Sequence, residues 1–477
     1  MSEEITITAE NPSAVSLEFY QLAIKAIEKK NPWMAYDMFL SAAQADPTNP
    51  DSFHNCALFA NQLSRPFQFF KDQAMIFEQL YARGKGTPES WAALGEMSIY
   101  CSKYSEGIAA LEKATEMDGT RAEWWTSLGF AHHHLGQTRD ALDCYERAIK
   151  LDPDNGHIHF LITCSSSGDF FNPQKQAFHG EAAFKSPKPT FMALEACWNS
   201  AHGFLVLGDY KKGWDYFEAR LKPNSTNRGE ILTTQRFKQP LWRGEKNVRL
   251  CIQTEMGLGD AFAMVRYLPI VKERFGCDVQ FECHPGMLDL IQYNFPDIKC
   301  VSYGQMDHTT FDYHIPIMSL PFVCKTKSYS VPWDGPYIKA QPEKIEEWRE
   351  KLKLSTTQKN IGLCWYAGQR AYHASNHDTF KRKSVPWDKF KMLLDTKGCN
   401  FISLQTEKDA GFENLGIKDF SDNAAIMHLL DRVITVDTSV ANLAGAMGKD
   451  LWVLNRFDTC WRWINIQTPW YPTAKIF

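Results

Sequence analysis

The sequence predicts an array of paired α-helices followed by two α/β units, each built on a parallel sheet. Three observations carry this expectation. A helical pattern recurs with a period of about 34 residues through the first half of the chain. The composition turns polar, with Pro and Gly, from about Lys222. Beyond that point short apolar runs alternate with helical patterns, which is how parallel sheets covered by helices read. The expected divisions are residues 1–221 for the array, 222–246 for a linker, 247–340 for the first α/β unit and 341–477 for the second.

A chain of 477 residues has room for two or three domains, and 44% hydrophobic with 23% charged residues fits a soluble globular protein with a large core. The formal charge of -4 excludes a global basic field of the kind that coats nucleic acid, leaving only local basic patches. Thirteen cysteines occur without one C-x-x-C pair, which points to a reduced compartment rather than a disulfide framework or zinc site. The start, MSEEITITAENPS, is acidic and has no leader pattern, and no run reaches the ~18 apolar residues of a membrane span. A cytoplasmic protein without a membrane span is expected.

In the segment from Arg121 to Asn155 the residues Trp125, Leu128, Gly129, Ala141, Tyr145, Ala148 and Pro153 stand at the positions of the tetratricopeptide pattern. One period earlier come Trp91, Leu94, Gly95, Leu111 and Ala114. The first repeat carries Phe19, Leu22, Ala23, Ala26, Ala35, Phe39, Ala42 and Pro47 in the same frame. The pattern is degraded from Asp51 to Gly84, and two further helix pairs follow Asn155, for about six repeats in all. Small residues such as Gly129 and Ala141 let paired helices approach, while Trp125 and Tyr145 fill the space towards the next pair. The resulting tetratricopeptide superhelix has a concave groove suited to a protein partner. His132 to His134 point in different directions on one helix, and Asp152 and Asp154 belong to an inter-repeat turn, so neither group reads as a metal site.

In the second half VRLCIQT, CDVQFEC, IKCVSY and FDYHIPI read as strands, with helices at Ala261 to Phe275 and Gly286 to Asn294. A charged helix, EKIEEWREKLKL, precedes a second series: NIGLCWYAG, CNFISLQ, DRVITVD and DLWVLNR. Two Rossmann-like units with a cleft between them are expected. Ligands of such sheets bind beyond the carboxyl ends of strands, so Thr254 to Asp260, Trp365 to Gly368, Gln405 to Glu407 and Asp437 to Asn442 are the candidate site segments.

The first of these, TEMGLGDAFAMVRYLP, lacks the lysine of a phosphate loop and has Phe262 where a dinucleotide fingerprint needs a third glycine after Gly257 and Gly259. Asp260 therefore reads either as an N-cap at the positive end of a helix or as a functional carboxylate. VDTSVANLAGAMGK opens a helix after a strand and offers free N–H groups with the hydroxyls of Thr438 and Ser439, an anion site, although Asp437 would also serve as a plain N-cap. KRKSVPW places Lys381, Arg382 and Lys383 in a nearby loop, which is either a solvated loop or a diphosphate contact. His373 and His377 have i,i+4 spacing, but their polar neighbours read as a loop rather than a metal-binding helix.

MGLGDAFAMVRYLPIVKERFG, DYHIPIMSLP, GPYIKAQPEKIEEWREKL, IGLCWYAGQ, KSVPW, FISLQ, VDTSVANLAGAMGKDLWVL and WRWINIQTPWYPTAKIF occur in order. From about Gln239 to Phe477 the chain resembles the tetratricopeptide-linked branch of glycosyltransferase family 9, the heptosyltransferase-like family. The resemblance implies a GT-B fold, with the acceptor on the first Rossmann-like domain and a nucleotide-diphospho-sugar on the second, and an inverting transfer that needs no metal or other cofactor. It implies that Asp260 is the general base on the acceptor hydroxyl, that Gly257 and Gly259 let backbone approach donor and acceptor, and that Lys383 contacts the donor diphosphate. It further implies donor contacts from Asp437 and Thr438, with Ser439 in place of a frequent glycine. Gly368, Gln405 and Asn442 complete the expected donor-binding set. Asn442 stands where the family often has histidine and cannot carry that residue's charge. No D-x-D occurs in the second half, which independently disfavours a metal-dependent mechanism.

The expected function is thus transfer of a sugar from a nucleotide-diphospho-sugar to an acceptor hydroxyl, with a protein partner or acceptor in the repeat groove. The alternatives are an inactive scaffold with a ligand-binding transferase-like part, motivated by Asn442, and transfer onto a modified nucleic acid reached through the local basic loop.

Overall fold

The computed structural model describes residues 12–46, 52, 55, 87–100, 102–222, 237–367, 382–405, 412, 414–464 and 468–477. The chain forms two compact units: Met1–Ser166 with Lys185–Thr190, and Ser167–Phe184 with Phe191–Phe477.

The described part of the first unit is helical: α1 (Pro12–Glu28), α2 (Pro32–Ala45), α3 (Pro88–Tyr100), α4 (Tyr104–Met117), α5 (Ala122–His134), α6 (Thr138–Leu151) and α7 (Gly156–Ser165). The degraded repeat expected from Asp51 to Gly84 lies almost wholly outside the described residues. Close pairing has the cause the sequence suggests. A Cβ on Gly129 would stand 2.6 Å from the Tyr145 ring and 3.0 Å from the Ala141 carbonyl, so α5 and α6 could not approach as they do. Tyr145 is fully buried. Trp125, by contrast, spends its indole N–H on the Gly119 carbonyl at 2.9 Å and lies under Arg147, while its neighbour Trp124 enters the core. Asp152 accepts from Asn155 at 3.0 Å and from Lys188 at 2.6 Å, which makes it part of the inter-repeat turn. The three histidines are dispersed: His132 meets Gln137, His133 meets Ser165, and His134 stacks on Tyr104.

The second unit begins with three helices, α8 (Pro173–Lys185), α9 (Ala193–Val206) and α10 (Tyr210–Phe217). β1 (Arg249–Gln253), α11 (Leu258–Met264), α12 (Tyr267–Phe275), β2 (Asp278–Cys283), α13 (Pro285–Asn294), β3 (Lys299–Ser302) and β4 (Tyr313–Pro316) follow, giving a parallel sheet in the order β3-β2-β1-β4. After α14 (Pro342–Lys351) come β5 (Lys359–Cys364), β6 (Cys399–Ser403), α15 (Phe420–Leu429), β7 (Arg432–Val436), α16 (Ser439–Ala446), β8 (Leu451–Leu454) and β9 (Ala474–Ile476). These make a second parallel sheet in the order β6-β5-β7-β8-β9. Strands such as β5 are buried at every position after the first, which is why they read as continuous apolar runs rather than alternating ones.

Three details differ from expectation. The single helix expected from Ala261 to Phe275 is two, α11 and α12, because Pro269 has no N–H to give the Val265 carbonyl; Leu268 donates to it instead at 3.0 Å. The C-terminal AKI forms β9, a strand too short to show in the sequence pattern. The edge of the second unit also lies upstream of residue 221. Tyr210, Trp214 and Phe217 of the last helix share one apolar core with both sheets, Trp214 meets Trp461 at 5.2 Å, and Trp470 donates to the Tyr210 hydroxyl at 2.8 Å.

Candidate active site

The carboxyl ends of β5, β7 and β8 bring together charged groups from distant parts of the second unit. β7 delivers Asp437, and Thr438, in extended conformation, is the N-cap of α16. Asp437 is therefore not that cap. It is 6% exposed; its Oδ1 accepts the Trp463 indole N–H at 2.8 Å, and its Oδ2 lies 3.0 Å from Lys383 Nζ without an aligned hydrogen bond. Burial alone would raise its pKa, but Lys383 and Arg462 outweigh burial and hold it down at about 2. Asp437 is an anion at any physiological pH.

Lys383 reaches this place because its loop returns beside β5: Ala367 N–H donates to Ser384 Oγ at 3.0 Å and Val385 N–H to the Trp365 carbonyl at 2.9 Å. Gln405 supports the same turn, its side-chain oxygen accepting the Tyr366 N–H at 3.0 Å. Next to it Arg382 and Arg456 share Asp458 at 3.4 and 3.2 Å. Burial above all, with the nearby Arg456 and Arg462, pushes the His202 imidazole down to about 4.

The loop after β1 meets this cluster from the other sheet. Met256 takes the left-handed conformation with φ 57°, and Gly257 is the N-cap of α11. Asp260 is the third residue of that helix rather than the N-cap expected in the plain reading; its Oδ2 reaches back to accept the Gly257 N–H at 2.8 Å. Its Oδ1 lies 2.7 Å from Arg462 Nη1. The two glycines admit protein groups: a Cβ on Gly257 would stand 2.6 Å from Asp260 Oδ2, and one on Gly259 would stand 2.6 Å from Asn442 Nδ2 and 3.5 Å from Ser439 Cα. Gly259 thus lets the first turn of α11 pack on that of α16.

Arg462 stands between the two acidic residues. It is 6% exposed, lies against Trp461, and its Nε has no acceptor among the described residues. Burial would lower its pKa, but Asp260, with smaller help from Asp437, keeps the guanidinium ionised. Asn442, expected to contact donor, is buried and committed within the protein: its amide donates to the Thr438 carbonyl at 2.9 Å and accepts from the Tyr471 hydroxyl at 3.0 Å. These bonds tie the start of α16 to Tyr471.

Asp260, Lys383, Gln405, Asp437, Thr438 and Ser439 therefore lie on segments that converge, whereas Gly368, Lys381, Glu407, His373 and His377 fall outside the described residues. Sequence reasoning missed Arg456, Arg462 and Asp458. Arg456 was within reach of the strand-end rule, since it follows β8. Arg462 lies in a loop whose position only the packed Trp461, Trp463 and Trp470 define.

In the first unit, α3, α5 and α7 line a cavity of about 250 Å³ with Glu96, Tyr100, Ser127, Phe130, His157 and Leu161 among its walls. Among the described residues no group of three His, Cys, Asp or Glu is placed to hold a metal ion, and no helix is long and apolar enough to cross a membrane.

Residues 122–155 match the tetratricopeptide repeat family. Over 417 residues the chain is 24% identical to protein FlbA of Caulobacter vibrioides, covering 79% of this chain and 67% of that protein. Among solved structures, MamA matches at 17% identity over 34% of this chain and 92% of its own, with a TM-score of 0.28. PilF of Pseudomonas aeruginosa matches at 14% identity over 46% of this chain and 97% of its own, with a TM-score of 0.36.

Proposed function

We propose that the protein is a glycosyltransferase of GT-B type, moving a sugar from a nucleotide-diphospho-sugar to an acceptor hydroxyl without a metal, and that its repeats hold a protein partner or acceptor. One observation supports this most. Lys383, Arg382, Arg456 and Arg462 converge at the strand ends from which the eight-residue helix α16 starts, with Asp260 beside them. Fixed cations near a helix N-terminus suit a diphosphate, and stabilise the charge that grows on it as it leaves. Asp260 would take the acceptor's proton. The acceptor oxygen forms its bond to the anomeric carbon as the bond from that carbon to the diphosphate oxygen breaks, the electron pair staying on the diphosphate.

A second reading, a tetratricopeptide scaffold whose transferase-like half binds ligand without turnover, is favoured by the engagement of both Asp260 oxygens within the protein, one by the Gly257 N–H and one by Arg462. A thermal-shift panel of UDP-, GDP-, ADP- and CMP-linked sugars, with and without chelator, followed by assay of nucleotide release, separates the two. The transferase reading expects a shift with at least one donor and chelator-insensitive release. A shift with no release supports the scaffold, and no shift with any donor contradicts both.

A further inference from the structure

The geometry points to Arg462 as a residue that carries positive charge to the diphosphate and, before ligand binds, holds Asp260 in check. This rests on the glycosyl-transfer reading. Four observations lead to it. The guanidinium is nearly inaccessible to water, yet among the described residues only its Nη1 meets a carboxylate, that of Asp260 at 2.7 Å. Its Nε has no acceptor among the described residues, an uncommon state for a buried donor and one that an incoming oxyanion would relieve. Its charge is felt by Asp437, so it lies within reach of the segment that starts α16. Asn442, expected to contact donor at a position where a histidine could carry charge, is neutral and already bonded to Thr438 and Tyr471.

Asp260 and a diphosphate would then compete for one guanidinium. Without ligand, Asp260 Oδ1 is ion-paired with Arg462 and Oδ2 accepts the Gly257 N–H, so both oxygens are engaged. When the diphosphate draws Arg462 to its own oxygens, Asp260 keeps only the backbone bond and can receive the acceptor's proton. The base becomes competent when the donor is in place. Such coupling limits loss of donor to water and needs no moving domain.

The test is calorimetric titration of UDP and GDP into the full-length protein and into Arg462→Gln, Asp260→Asn and the double variant. Arg462→Gln should bind the nucleotide that the parent prefers roughly tenfold or more weakly, because a charge-assisted contact is lost. Asp260→Asn should bind it more tightly, since the competing carboxylate is gone while the amide oxygen still accepts the Gly257 N–H. That gain should vanish in the double variant, because it depends on Arg462. A gain that persists without Arg462 is mere removal of negative charge and overturns the proposal, as do unchanged affinities in both single variants. Either result leaves the transferase reading intact. Should Arg462→Gln fail to fold, Arg462→Lys takes its place: it keeps the charge but loses the fork, and should bind more weakly than the parent. If the parent binds neither nucleotide, the inference falls, and the sugar-nucleotide panel then decides the transferase reading separately.

Discussion

Arg220, in the 3-10 turn that follows α10, clamps Glu255 in the loop after β1 through two hydrogen bonds, Nε to Oε2 at 3.1 Å and Nη2 to Oε1 at 2.6 Å. Arg220 is fully buried, and it also reaches Glu218, Ser319 and the Phe217 carbonyl, while Glu255 accepts the Met318 N–H. Glu255 is followed by the left-handed Met256 and by Gly257, the residue to which Asp260 is tied. The turn after α10 thus fixes the base of the loop that carries the candidate catalytic carboxylate.

Replacing Arg220 with Ala leaves the buried Glu255 without its cation and Glu218 with only the half-exposed Arg243, and should cost about 3–5 kcal/mol of stability. Chemical denaturation measures this. A loss below about 1 kcal/mol would mean that water replaces the guanidinium at no great expense.

Asp437 gives a pH signature. Its folded pKa, about 2, lies below the ordinary carboxylate value of 3.8, so the unfolded chain binds the proton more readily. Stability from this group is present above the unfolded value and is lost as pH falls through the folded one. Compared with Asp437→Asn, the parent should lose its pH-dependent advantage between about pH 4 and about pH 2, read from denaturation at each pH. A difference between the two proteins that stays constant across this window would contradict the assigned ion pairs.

Gly259→Ala should destabilise the protein and loosen the start of α16, since the new methyl would meet Asn442 Nδ2 at 2.6 Å and Asn442 is held on both sides. Hydrogen exchange of the Ser439 to Ala446 amides checks the second part. Unchanged protection would show that the two helix starts separate without cost.

Lys383→Ala should weaken nucleoside-diphosphate binding, and the loss should shrink at high salt because Lys383 is partly exposed to solvent. Titrations of UDP and GDP at low and high ionic strength measure both. A parent-like affinity would remove Lys383 from the site.

Much of the architecture was legible because it repeats or is doubly covered. The 122–155 repeat shows its small residues at fixed spacing, and strands such as β5 and β7 appear as unbroken apolar runs. β9 was not legible because three residues carry no period. At the site, Asp260, Asp437 and Lys383 stand out from their places after strands and in a basic loop. Their partners do not, since Arg462 and Trp463 come from an irregular loop whose course depends on tertiary packing. The sequence also could not show that Asn442 is sealed by Tyr471, a contact across 29 positions.

The central claim is that Asp260 serves chemistry as well as helix structure. The direct measurement is nucleoside-diphosphate release by the parent and by Asp260→Asn, using the donor that gives the largest thermal shift. Because Asn keeps an acceptor for the Gly257 N–H but cannot take a proton, the variant should fold, bind donor, and turn over about two to four orders of magnitude more slowly. Release at the parental rate by a folded Asp260→Asn protein would contradict the account and leave Asp260 as a helix-start residue paired with Arg462.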